Sequence, residues 1–196
     1  MRPFLAVIVA IGCLGGSQAL ADIVPRNSTP SGSVIARKLG EEVRFIDVSS
    51  WQSVDVQQDL LAGDVLRTNA QGSLAILFAD RTQMRLGRNT TLLVKAVGTA
   101  SDSAFSLQSG TLWGRAERGG LGLKVETAAA TAAVRGTDFT LSVDAGGRTS
   151  LIVLEGKVDL FNEFGIRHEI DGNGFDAVYE NFYESQTVTV GMNYSF

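Results

Sequence analysis

The sequence predicts an all-β domain, built as two facing, mainly antiparallel sheets or as a solenoid-like stack of short strands. Three observations carry this expectation. After Pro30 the chain of 196 residues contains no proline. From Val34 onward apolar and polar residues alternate in short runs, the period of a strand with one face on a core. Gly, Asn, Asp and Ser interrupt these runs about every ten residues, as short strands require.

The elements follow in order. The opening "MRPFLAVIVAIGCLGGSQALAD" has one Arg, an apolar run from Phe4 to Leu14 and a small-residue ending at Ala19-Leu20-Ala21. That is the pattern of a secretory signal peptide over residues 1–21, too short for a membrane span. Cys13, the only cysteine, sits inside this run as an apolar filler and makes a poor lipoprotein signal. Cleavage after Ala21 is therefore expected to leave a chain without cysteine, with no disulfide framework and no thiolate chemistry. It also removes one of 17 basic residues against 21 acidic ones, which leaves an acidic protein and argues against a nucleic-acid partner. No later apolar run is long enough for a transmembrane helix.

"DIVPRNSTPSGS", residues 22–33, reads as a flexible lead-in. Strand faces then follow at Leu74/Ile76/Phe78, Met84/Leu86, Leu92/Val94, Phe105/Leu107, Leu123/Val125, Phe139/Leu141/Val143, Leu151/Val153 and Val158/Leu160. "TAAATAAV", Thr127 to Val134, holds good helix formers but is too short for a stable helix, and reads as a strand of small side chains. Val54 to Leu61 reads as a helical turn or a loop leading to the Gly63-Asp64 corner. "RGGLG", Arg118 to Gly122, reads as a hairpin connection, since it has none of the Lys-Ser/Thr of a phosphate loop.

Two stretches together carry a resemblance. "LLAGDVLRTNAQGSLAILFADRTQMRLGRNTTLLVKAV" has a Gly63-Asp64 corner, a following Thr68, an alternating strand and a turn led by Asp80. "GTLWGRAERGGLGLKVETAAATAAVRGTDFTLSVDAGGRTSLIVLEGKVDLFN" has Arg135-Gly136-Thr137, then Phe139, and closes on Glu155-Gly156. In this order the pieces resemble the FecR domain, over residues 34–162. The resemblance implies a periplasmic all-β domain, known from regulators that relay iron-siderophore signals to a sigma factor. In those regulators a cytoplasmic segment precedes the membrane span, whereas only Met1, Arg2 and Pro3 precede the apolar run here. Arg81 also departs from the family, which usually has Gly there; a type I turn started by Asp80 would tolerate it.

The signature residues read as structural. Gly136 is expected to supply a conformation closed to residues with a Cβ, or a close approach to a neighbouring strand. Arg135, with five donors, is suited to a semi-buried place where it ties down backbone carbonyls or a carboxylate such as Asp64 or Asp138.

No catalytic, cofactor or metal site is expected. The single histidine, His168, reads as an exposed tail residue, and no Gly-x-Ser-x-Gly elbow is present. "DGNGFD", Asp171 to Asp176, has oxygen ligands but neither the spacing nor the distal Glu of a calcium loop, and reads as a turn.

Residues 163–196 change character. Val188, Val190, Met192, Tyr194 and Phe196 alternate in an aromatic-rich segment that resembles the closing strand of an outer-membrane β-barrel. The segment is too short for a barrel, so it reads either as a remnant of one or as a hairpin on the FecR-like core. Two functions stay open: a non-enzymatic periplasmic or secreted binding module for an envelope protein or a glycan, and a signalling regulator related to FecR-type sensors. Outer-membrane association through the last strand is a further expectation.

Overall fold

The computed structural model describes residues 23–98, 101–172, 175–180 and 187–192, with side chains up to residue 172. The expected signal peptide and the last four residues lie outside this set. All regular structure among the described residues is strand. The first eight strands are β1 (Gly32–Arg37), β2 (Glu41–Arg44), β3 (Gln52–Ser53), β4 (Asp59–Leu60), β5 (Val65–Thr68), β6 (Leu74–Phe78), β7 (Gln83–Leu86) and β8 (Thr91–Ala96). The long β9 (Ser103–Arg115) precedes β10 (Leu123–Glu126), β11 (Thr131–Val134), β12 (Asp138–Val143) and β13 (Thr149–Glu155). The last described strands are β14 (Lys157–Phe161), β15 (Arg167–Asp171), β16 (Phe175–Glu180) and β17 (Thr187–Met192).

These strands make two layers. In the first the order is β4-β1-β6-β7-β9-β12-β13-β16-β17. In the second it is β3-β2-β5-β8-β9-β10-β11-β14-β15. Strand β9 belongs to both. Its first half pairs with β8 and β10, and beyond Gly110 its second half pairs with β7 and β12. Gly110 has φ +86°, and a Cβ there would lie 2.5 Å from Thr90 Cα, so the bend needs glycine on both counts.

Alternation sets the core. Leu74, Ile76 and Phe78 of β6 are buried while Leu77 between them is exposed, and Leu92/Val94, Phe105/Leu107 and Leu151/Val153 repeat the pattern. Both layers feed one apolar cluster, and the rings of Phe78 in the first and Phe105 in the second lie 4.7 Å apart. The sandwich and the stack expected from sequence describe one object. From β10 on, hairpins alternate between layers, and each docks on the previous hairpin of its own layer through β11–β14 and β13–β16.

Several local expectations change. The 116–122 segment is not a hairpin: β10 runs parallel to the start of β9, from Leu123↔Ser103 to Glu126↔Ser106. The cause is the bend in β9, which ends in the first layer, so the chain must cross back to reach the second. Only Thr131–Val134 of the alanine-rich segment is a strand; Thr127 Oγ1 accepts from Ala130 N at 3.0 Å and makes the residues before it a turn. Of the two readings of Val54 to Leu61, the loop is the one present, and it ends in β4 just before the Gly63-Asp64 corner. The lead-in is not wholly loose. Val24 exchanges two hydrogen bonds with the Gln58 side chain, at 2.8 and 2.9 Å. The tail forms the β16–β17 hairpin, which extends the first layer beyond β13.

Candidate interaction site

The Gly63-Asp64 corner is a structural knot. Gly63 has φ +95° and donates to Val94 O at 2.7 Å, which ties the turn to β8. The fully buried Asp64 carboxylate accepts from Ile46 N at 2.9 Å, Leu61 N at 2.8 Å and Arg26 Nη2 at 3.0 Å. Arg26 itself lies over the Phe45 ring at 4.2 Å. A buried carboxylate must be both paired and hydrogen-bonded, and here three separate segments satisfy it. Glu41 is a second buried carboxylate, held by backbone alone: its Oε1 accepts from Lys38 N, Leu39 N and Ser73 N at 2.8 to 3.1 Å, while its Oε2 meets no partner among the described residues. Its sign in the sequence is a charge in phase with Val43 and Phe45, on the inward face.

Thr68 continues the pattern of buried polar staples. Its hydroxyl donates to Gly87 O at 2.6 Å and accepts from Thr90 N at 3.0 Å, and Thr90 Oγ1 in turn accepts from Thr111 N at 3.0 Å beside the β9 bend. Asp80 sits in the β6–β7 turn, accepting from Thr82 N at 2.9 Å and from the Ser103 hydroxyl. The turn differs from the expected one. Arg81 N donates to Phe78 O at 3.0 Å, so Ala79 and Asp80 are its central residues and Arg81 follows at φ 65°. That is the left-handed position where a three-residue hairpin loop favours glycine, which explains why Gly is usual there.

The second corner brings the remaining signature residues together. Gly136 has φ +63°, and a Cβ on it would lie 3.2 Å from Arg118 Cα. Thr137 is buried, with Oγ1 2.8 Å from Lys157 O and 3.1 Å from Arg135 O, so its one proton is held by backbone carbonyls. Gly156, at φ +89°, packs so close that a Cβ would come within 2.8 Å of Thr137 Oγ1. Phe139 is fully buried, and its ring covers Gly114.

Arg135 corrects the sequence reading. It is exposed, and neither carboxylate it was matched with is its partner: Asp64 takes Arg26, and Asp138 takes Arg115. Asp64 is met by Arg26 from the lead-in, and Asp138 on β12 by Arg115, its register partner on β9.

Around this corner lies a groove of about 650 Å³. Gly136, Thr137 and Glu155 line it with residues the signature did not include. Three ion pairs mark it: Arg81–Glu117 at 2.9 Å, Arg115–Asp138 and Arg118–Glu155. Beside it, the Arg85 and Arg115 guanidinium groups each lie 5.3 Å from the Trp113 ring on the outer face of the first layer. Trp113 was legible only as a large aromatic in the polar phase of β9. Thr137 is the sole hydroxyl among the lining residues, and it is already committed. The arrangement suits recognition of another charged surface; it holds no nucleophile set against a base.

Other expected features fall away from this groove. Gly63, Asp64 and Thr68 lie outside its lining, as does Arg135. His168 is half-buried in β15 rather than exposed. On the same hairpin, Glu169 beside Lys157 raises the lysine, and Asp159 beside Arg167 raises the arginine. Among the described residues no group of His, Cys, Asp or Glu is placed to hold a metal ion. No helix among them is long and apolar enough to cross a membrane.

Comparison with known proteins places the corners in context. Residues 64–159 match the family model described as FecR protein. Two crystal structures of a candidate anti-sigma factor from Parabacteroides distasonis ATCC 8503, at 1.65 and 2.50 Å resolution, each align with a TM-score of 0.57 and 15% identity. The alignments cover 65% of this chain and 59% of theirs, so the chain matches well under two thirds of those proteins' length. At that identity the likeness is one of fold. No curated protein matches the sequence significantly.

Proposed function

We propose, from the premise that residues 64–159 are a FecR domain, that this protein is a non-enzymatic regulatory module of the bacterial cell envelope that acts by binding another protein. One observation carries the reading. The signature residues Gly136, Thr137 and Gly156 are spent on backbone geometry, while the groove they shape presents the exposed pairs Arg81–Glu117 and Arg118–Glu155, the second made by the signature carboxylate itself. Exposed pairs contribute little to stability, so exchanging their partners for charges on another protein costs little. Of the two functions left open by the sequence, the family favours signalling, and the fold shared with a candidate anti-sigma factor supports the same side. A glycan ligand is the weaker reading, because a rim of alternating charges selects for charge.

The test is capture from envelope extract by the tagged chain and by a double charge reversal, Arg81→Glu with Arg118→Glu. The proposal expects a protein captured by the first and lost by the second, with melting temperatures matched. Equal capture by both, or capture of glycan alone, would remove the groove from the function.

A further inference from the structure

We propose that β17 is an assembly edge, pairing antiparallel with β17 of a second copy of this chain. Among the described residues the two layers leave four edges, and three of them are blunted. The edge strands β3 and β4 are two residues each, and β1 next to β4 carries a bulge between Val34 and Ala36. Strand β15 reads Arg-His-Glu-Ile-Asp, a charged edge. Short length, bulges and charge are the ordinary means of keeping a sheet from adding a strand.

The edge β17 has none of them. It is six residues long, Thr-Val-Thr-Val-Gly-Met, with no charge and no proline. One side pairs with β16, and no other strand among the described residues pairs with it. Its row of backbone donors and acceptors on the other side is a template for a further strand.

The sequence indicates which strand fits. Two overlapping triplets read the same by residue type under a two-fold axis: centred on Val188, Thr187 meets Thr189; centred on Thr189, Val188 meets Val190. Like residues thus oppose like, and Thr–Thr and β-branched pairs are favourable across antiparallel strands. No charge opposes its own copy. The pairing would continue the first layer across both molecules. It is independent of the groove.

The experiment uses the full chain with Cys13→Ser, so that no native thiol competes. Sedimentation over a concentration series is expected to show a reversible dimer. Thr189→Lys places like charges near the axis and should weaken dimerisation about tenfold or more, with monomer melting unchanged. Val188→Cys or Thr189→Cys, whichever lies on the axis, should form an intermolecular disulfide under mild oxidation, while Glu169→Cys on β15 should not. Should Thr189→Lys disturb folding, the cysteine pair decides. A monomer at all concentrations, a dimer indifferent to β17, equal cross-linking from Glu169→Cys, or association only with membranes would each overturn the proposal.

Discussion

Arg26 and Asp64 form a buried ion pair at 3.0 Å, joining the lead-in to the first signature corner across 38 positions of sequence. The arginine side chain is 2% exposed and the aspartate 0%. Removing one partner of such a pair strands the other charge away from water. Asp64→Ala is expected to cost about 3–5 kcal/mol, because it also orphans the Ile46 and Leu61 N–H groups. Arg26→Ala should cost less, since Asp64 keeps both amides. Equal melting temperatures for the two variants would contradict this ordering.

At the second corner, Gly136→Val should destabilise by more than about 1 kcal/mol, through left-handed backbone and crowding against Arg118 together. Gly147 provides the control. It has φ +81° but open space around its missing Cβ, so Gly147→Ala should show the backbone cost alone. Thermal melts compare the two directly.

Arg81→Gly is expected to stabilise by about 1 kcal/mol. A non-glycine residue in the left-handed region costs about 1–2 kcal/mol, and the exposed ion pair with Glu117 that is lost contributes about 0–1 kcal/mol. A lower melting temperature would mean that the Arg81 side chain matters more to the fold than its backbone strain.

Asp55 gives a pH dependence. Hydrogen bonds from the Arg37 side chain and Val56 N hold its carboxyl below the usual carboxylate range. A depressed folded-state value contributes stability that is complete above the unfolded value of about 4 and is lost as pH falls through the folded value. The stability gap between wild type and Asp55→Asn should therefore be constant near neutrality and close in acid below about pH 4. A gap that widened in acid would reverse the sign.

Much of the core was legible because strand burial depends on local alternation. Phe139, Leu141 and Val143 needed no knowledge of their neighbours, and Gly63 and Gly136 marked corners that the structure shows to be left-handed. Partners were another matter. Asp64 could not be matched to Arg26, nor Asp138 to Arg115, because those pairings depend on which layer each strand joins. Strand β9 did carry a readable mark of its double membership. Its buried positions shift from odd at Phe105 and Leu107 to even at Leu112 and Gly114, with Gly110 between them. Read without the layers, that phase change looks like a break between two strands.

The fold-back of β9 bears on how a partner would be met. Its first residue, Ser103, reaches Asp80 in the β6–β7 turn, and its last, Arg115, lies opposite Gln83 just past the same turn. One strand thus leaves the groove end of the domain, reverses at Gly110 and returns, gripping that end from both layers. A site clamped in this way is a rigid die rather than a closing hand. Its backbone should move by less than about 1 Å on binding. Charge substitutions along the rim should then act mainly on how fast a partner arrives and on the salt dependence of that rate, not on whether the groove can form.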